Sequence, residues 1–125
     1  MVLMGSVAGK KTVLVVDDEP DVRSFVRTVL LRDGYEVLEA EDGLAAYELV
    51  ERLSGGIDLL VTDVKMPRMD GITLGKKVGT GYPDIGVLYI SAYLSEAATQ
   101  GAGRRFLPKP FRPDALVECV RSLSA

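Results

Sequence analysis

The 125-residue chain contains no histidine, no tryptophan and a single cysteine. Each absence removes a class of function. Without histidine there is no imidazole acid–base catalysis, and most zinc sites lose their commonest ligand. A lone Cys119 cannot close an internal disulfide, so nothing asks for an oxidising compartment. Its place in the last helical pattern suits a small buried hydrophobe. No apolar run approaches the ~20 residues needed to cross a bilayer, and Met1–Gly5 lacks the build of a signal peptide. Basic residues do not dominate either: 15 Lys and Arg face 18 Asp and Glu, for a net charge of −3. A nucleic-acid binder would show a basic stripe able to displace counterions from phosphates. The expectation is a cytoplasmic domain with no nucleic-acid or membrane partner.

Hydrophobic residues make up 47% of the chain and charged ones 26%, which suits a globular fold rather than disorder. The length fits one hydrophobic core. Residues 1–10 are expected to lie outside the folded unit, which is set at 11–125. Gly5-Ser6-Val7-Ala8-Gly9-Lys10-Lys11 invites a phosphate-loop reading and fails it. The first glycine is one residue too close, and Lys11 stands where Ser or Thr is required.

From Thr12 the pattern alternates regularly. Thr12-Val13-Leu14-Val15-Val16 is a β-branched, unbroken apolar run, the signature of a strand covered on both faces of a parallel sheet. After Pro20, Val22, Phe25, Val26, Val29 and Leu30 recur at helical spacing until Asp33-Gly34. Tyr35–Ala40 reads as a more exposed strand. Ala45, Ala46, Leu49, Val50 and Leu53 mark a helix stopped by Gly55-Gly56. Ile57–Thr62 is a strand delivering Asp63, and a helix near Gly71–Val78 is broken by Gly79-Thr80-Gly81. Gly86–Ile90 is a strand ending at Ser91, Ser95–Gln100 a weak helix, and Arg105–Leu107 a short strand. A last helix starts near Pro113 and shows Leu116, Val117, Val120 and Leu123 on one face.

Five strands alternating with five helices predict an α/β fold, a doubly wound parallel sheet with helices on both faces. Right-handed crossovers restrict the topology, and the expected strand order is the flavodoxin-like 2-1-3-4-5. Ligands of such sheets bind beyond the carboxyl ends of the strands, where strand order reverses. Asp17, Asp18 and Glu19 follow the first strand, Asp63 the third, Ser91 the fourth and Lys109 the fifth. One ammonium is too little for so many carboxylates, so a cation is implied. Oxygen donors without His or Cys select Mg²⁺ or Mn²⁺. A metal, an ammonium, a hydroxyl and a central carboxylate suit phosphoryl transfer, with the carboxylate as acceptor. Against this stand plainer roles: Asp17 or Asp18 capping the first helix, Asp63 as a turn residue, Lys109 as a solvated lysine. Convergence of all of them on one pocket favours chemistry.

Val15-Val16-Asp17-Asp18-Glu19, Thr62-Asp63-Val64-Lys65-Met66-Pro67, Met69-Asp70-Gly71, Ile90-Ser91-Ala92 and Pro108-Lys109-Pro110-Phe111, in that order and spacing, make the chain resemble a response-regulator receiver domain of two-component signalling over about residues 11–123. The resemblance implies that Asp63 is the phosphoacceptor. It implies that Asp17, Asp18, Asp63 and the backbone carbonyl of Lys65 hold Mg²⁺. Ser91 would hydrogen-bond the phosphoryl group, Lys109 would pair with it, and the Lys109–Pro110 bond would be cis. Phe106 would be a switch aromatic that follows Ser91. The phosphodonor would be a histidine kinase or phosphotransfer protein, and the output a protein contact made by the surface around the fourth helix, fifth strand and last helix. Such a domain catalyses its own phosphorylation and dephosphorylation without turning over a separate substrate. Both a free-standing regulator and the receiver of a hybrid histidine kinase fit.

One departure stands out. Only 18 positions separate Ser91 from Lys109, so the fourth helix is expected to be short. Gly101 and Gly103 weaken it further, by about 0.8–1 kcal/mol each if helical. That argues against a dimer surface there and for a monomer. Two rivals remain: a metal-dependent phosphatase with its aspartate nucleophile on the first strand, and an interaction module of the same fold that is never phosphorylated. Asp17 is followed two residues later by Glu19, which is the phosphatase spacing, but no cap insertion exists.

Overall fold

The unbroken apolar run of the first strand finds its explanation in the middle of a sheet. A computed structural model describes residues 9–92 and 105–124. Five strands, β1 (Thr12–Val16), β2 (Glu36–Ala40), β3 (Leu59–Asp63), β4 (Gly86–Ser91) and β5 (Phe106–Pro108), form one sheet in the order β2-β1-β3-β4-β5, every pairing parallel. Val13 pairs with Val37 on one side and with Leu59 on the other. With both edges hydrogen-bonded and both faces covered, β1 has no side left for water, and Val13 through Val16 are fully buried.

Alternation along the strands sorts the core into two layers. Val13, Val15, Leu59, Val61, Leu88 and Ile90 pack beneath α1 (Pro20–Arg32) and the C-terminal helix, here α4 (Pro113–Ser124). Leu14, Val16, Leu60 and Val87 pack beneath α2 (Gly43–Arg52) and α3 (Gly71–Gly81). The helices contribute Val26, Leu30, Leu116 and Val120 to the first layer, and Ala46, Val50, Leu74 and Val78 to the second. Cys119 is half-buried against the first layer. No helix among the described residues is long and apolar enough to cross a membrane.

Some elements differ from their sequence-based expectation. The helix expected to break at Gly79 runs on through Thr80 to Gly81. The Thr80 hydroxyl donates to the Lys76 carbonyl, and Tyr82, packed against the second layer, donates its N–H to Val78. Tertiary anchoring of Tyr82 outweighs the weak helix propensity of two glycines. Phe25, expected on the buried face of α1, is 42% exposed and instead meets Phe111, with ring centroids 6.0 Å apart. Leu53, expected on the buried face of α2, is 40% exposed and stands at its C-cap, ahead of Ser54 and Gly55 in the left-handed region. The short helix expected over Ser95–Gln100 lies outside the described residues. Among those, the helices number four.

Candidate functional site

Parallel strands all end on the same side of the sheet, and the chain has charged or polar residues at those ends. Asp17 follows β1 directly, with its backbone N–H donating to Ala40 at the end of β2. Its side chain is fully buried. Asp17 Oδ1 accepts the Glu19 N–H at 2.9 Å, closing the turn into α1, and Oδ2 accepts from Lys109 Nζ at 3.0 Å. α1 itself starts from Glu19 and Pro20 with no cap bond from the Glu19 side chain, and Asp17 holds the turn with Oδ1 while Oδ2 faces Lys109. Asp63 closes β3 and is 6% exposed, with Oδ1 accepting the Val64 N–H at 2.8 Å.

The two buried carboxylates and the exposed Asp18 converge. One oxygen from each of Asp17, Asp18 and Asp63 lies within 4.8 Å of the others. Lys109 reaches across from β5, its ammonium 3.0 Å from Asp17, 3.5 Å from Asp63 and 3.6 Å from Glu19. Its peptide bond to Pro110 is cis. Ser91, also buried, ends β4 alongside Pro108, and its carbonyl accepts the Lys109 N–H at 2.9 Å. A cleft of about 170 Å³ opens among Asp18, Glu19, Asp63, Lys65, Ser91, Ala92 and Lys109. The structure therefore brings together Asp17, Asp18, Asp63, Ser91 and Lys109, with Lys65 at the rim. Phe106 stands apart, half-buried one residue before Leu107, its ring 6.2 Å from that of Tyr89.

The electrostatics are those of a site short of positive charge. Burial pushes the Asp63 carboxyl above its ordinary range, and the neighbouring Asp17 charge adds to this. Lys109 and the Val64 N–H pull back only part of the way. For Lys109, burial works against the ammonium, but its bond to Asp17 and the charges of Asp17, Asp63 and Glu19 outweigh it, leaving the amine above its usual value. The donor set is all oxygen, with no imidazole or thiolate, and opens to a small polar cleft. That fits a hard divalent ion such as Mg²⁺ or Mn²⁺.

Two further residues hold this arrangement: Gly71, which the sequence motifs already include, and Arg23, which the sequence reading did not single out. Gly71 opens α3 against the end of β3, where an added Cβ would lie 1.9 Å from the Asp63 carbonyl oxygen. Its N–H donates to Val64 at 2.8 Å. Arg23, one turn into α1, donates to the Asp17 carbonyl at 2.7 Å and pairs with Glu39 on β2. The Asp70-Gly71 pair at a helix start signals the first. Nothing local marks Arg23, because its partner is a backbone atom six residues back.

Known proteins are similar to the chain in sequence and fold. A family described as the response regulator receiver domain matches residues 13–121. The sensor kinase CckA of Brucella abortus is 39% identical over 93% of this chain, which spans 13% of that kinase's length. The chemotaxis protein CheY of Bacillus subtilis is 33% identical over 86% of this chain and 92% of its own. Among solved structures, the receiver domain of the hybrid histidine kinase CckA superposes with a TM-score of 0.77 at 40% identity, covering 91% of this chain and 99% of that one. With the expected sheet order, the acidic cluster at its carboxyl edge and this match over most of its length, the chain belongs to the response regulator receiver domain family of two-component signalling.

Proposed function

We propose that Asp63 accepts a phosphoryl group from a phosphohistidine on a histidine kinase or phosphotransfer protein, with Mg²⁺ held by Asp17, Asp18, Asp63 and the Lys65 carbonyl. The observation that carries this reading is the meeting of three carboxylates and one ammonium around an open cleft at the strand ends. Held there, such an ion would supply charge neutralisation for the transferring phosphoryl group. The residues of the chain do the rest. The Val64 N–H orients the Asp63 carboxylate, and Lys109 keeps it beside a cation. As the donor's phosphorus–nitrogen bond breaks, a phosphorus–oxygen bond to Asp63 forms, and the departing imidazole takes a proton from solvent. Water later cleaves the acyl phosphate, releasing phosphate and restoring the carboxylate.

A protein donor has a surface to land on. A mostly apolar groove of about 470 Å³, with Val22, Phe25, Pro110 and Phe111 in its wall, shares Glu19, Ala92 and Lys109 with the acidic cleft. That adjacency lets a docked donor deliver a side chain to Asp63, and a cytoplasmic location belongs to the same reading.

Phosphorylation adds negative charge and three acceptor oxygens to a site already rich in carboxylates. Ser91 and Lys109 are the groups that answer it. They end neighbouring strands and are joined by the Lys109 N–H, so drawing either one inward moves the ends of β4 and β5 together. Phe106 on β5 and the adjoining face of α4 then carry the change to an output protein. Similarity to the CckA receiver supports a place in a hybrid kinase, and the near-full-length match to CheY a free-standing regulator.

The test is intact-mass spectrometry after incubation with acetyl phosphate and Mg²⁺. The mass of one phosphoryl group should appear, should vanish with a chelator, and should be absent from Asp63→Asn. Labelling of Asp63→Asn at the wild-type level would overturn the assignment.

A further inference from the structure

The loop between β3 and α3, residues 64–70, sets two features of the cleft. Its first N–H holds Asp63 Oδ1, and Lys65 lines the rim. What holds this loop belongs to another element. Asp42 caps α2, its Oδ1 accepting the Ala45 N–H at 2.8 Å. Its Oδ2 accepts from both Nε and Nη2 of Arg68 in the loop, the former at 2.9 Å. Asp42 is 4% exposed, and Arg68 sits at a φ of 69°, in the left-handed region that favours glycine. The next residue, Met69, lies flush on α2, since a Cβ added at Gly43 would come within 2.3 Å of its carbonyl oxygen.

A helix cap needs one acceptor and no arginine. Here a buried carboxylate serves twice, and the arginine that meets it comes from a turn in an unfavourable backbone conformation. Burial pushes the Asp42 carboxyl up, but the Ala45 N–H and Arg68 outweigh it, so it is held below the ordinary range and ionised. The pair thus ties the N-terminus of α2 to the middle of the loop that leaves Asp63.

We propose that Arg68 and Asp42 form a positioning clamp, fixing loop 64–70 so that the Lys65 carbonyl and the Asp63 carboxylate stand where the divalent ion is held. This rests on the metal-assisted reading of the cleft given above. Neither residue touches the ion or the phosphoryl group. Both act through the loop.

The test measures Mg²⁺ affinity by titration calorimetry for the wild type, Arg68→Ala, Asp42→Asn and the double variant, with urea unfolding alongside. Asn keeps an acceptor for the Ala45 N–H. Partners that orient metal ligands are worth tenfold or more in affinity, so each single variant should bind about tenfold more weakly. The double variant should lose no more than either single one, because both break the same tie. Arg68→Lys keeps the charge without the two-pronged contact and should fall between. A purely electrostatic effect would split the single variants in opposite directions, the lost cation strengthening binding and the lost anion weakening it, and would overturn the clamp. So would lowered stability with unchanged affinity. Failure of the wild type itself to bind Mg²⁺ would instead overturn the underlying reading of the cleft, and the clamp with it.

Discussion

Adding one methyl group at Gly71 probes the contact on which the placement of Asp63 depends. An alanine Cβ there would lie 1.9 Å from the Asp63 carbonyl oxygen, 2.9 Å from its carbon and 3.1 Å from Thr62 Oγ1. A carbon–oxygen contact is comfortable at about 3.3 Å, so the two backbones must part by about 1.4 Å. β3 cannot yield, being paired on both sides with β1 and β4 and buried along its length. α3 must therefore retreat, and the 2.8 Å bond from Gly71 N–H to Val64 is lost. Overpacking costs about 1–3 kcal/mol and the bond about 1 more, for a total of about 2–4 kcal/mol. At roughly 4 °C per kcal/mol for a domain of this size, the midpoint should fall by about 8–16 °C. The same helix supplies the controls. At Gly79 nothing lies within 4 Å, so alanine should stabilise by about 1 kcal/mol through helix propensity. At Gly75 the added Cβ meets Tyr89 Oη at 2.0 Å, the far end of a movable side chain, and the loss should be intermediate. Urea denaturation of the three variants reads the order directly. A Gly71→Ala protein as stable as Gly79→Ala would refute the reasoning.

Asp63→Asn should stabilise the fold at pH 7 in chelator. The folded carboxyl titrates above its unfolded value, so ionising it is a penalty present at neutral pH. As pH falls through the folded pKa that penalty shrinks, and below about 3.9 it is gone. Thermal midpoints at pH 7 and pH 3.5 test it, and a gain that persists at low pH would count against it. Lys109→Ala should destabilise by about 3 kcal/mol at pH 7, because it leaves the buried Asp17 and Asp63 without their cation. The raised folded pKa makes this contribution complete below about 10.4 and lost as pH rises through the folded value, so the two proteins should converge in strong alkali. Mg²⁺ at ten times its dissociation constant should add about 1.4 kcal/mol to wild-type stability. That increment should disappear from Asp17→Asn, as read by denaturant titration with and without the ion.

The site was legible before any coordinates because chemistry and topology coincide in the chain. A parallel strand that ends in Asp17-Asp18, another in Asp63, and a lysine between two prolines can only meet at one rim once the strands run the same way. What escaped was support given by contacts that lie outside the motifs. Arg23 reaches a backbone carbonyl six residues back, and Arg68 reaches a helix cap 26 positions away. None of these partners has a local pattern. The expected end of α3 failed for the same reason, since Tyr82 anchors that helix from outside.

Strand order, the two-layer core and the identity of the acidic and basic tips were written into the linear chain, because periodicity and the chirality of βαβ crossovers leave few alternatives. Distances were not. That Lys109 stands 3.0 Å from Asp17 and 3.5 Å from Asp63, that Asp42 is spent on Arg68, and that Phe25 faces Phe111 rather than the core follow from packing of elements far apart in sequence. Covalent order places a residue on an element. Only close packing of whole elements sets the ångström-scale separations on which Coulomb energies, and so the affinity for a divalent ion, depend.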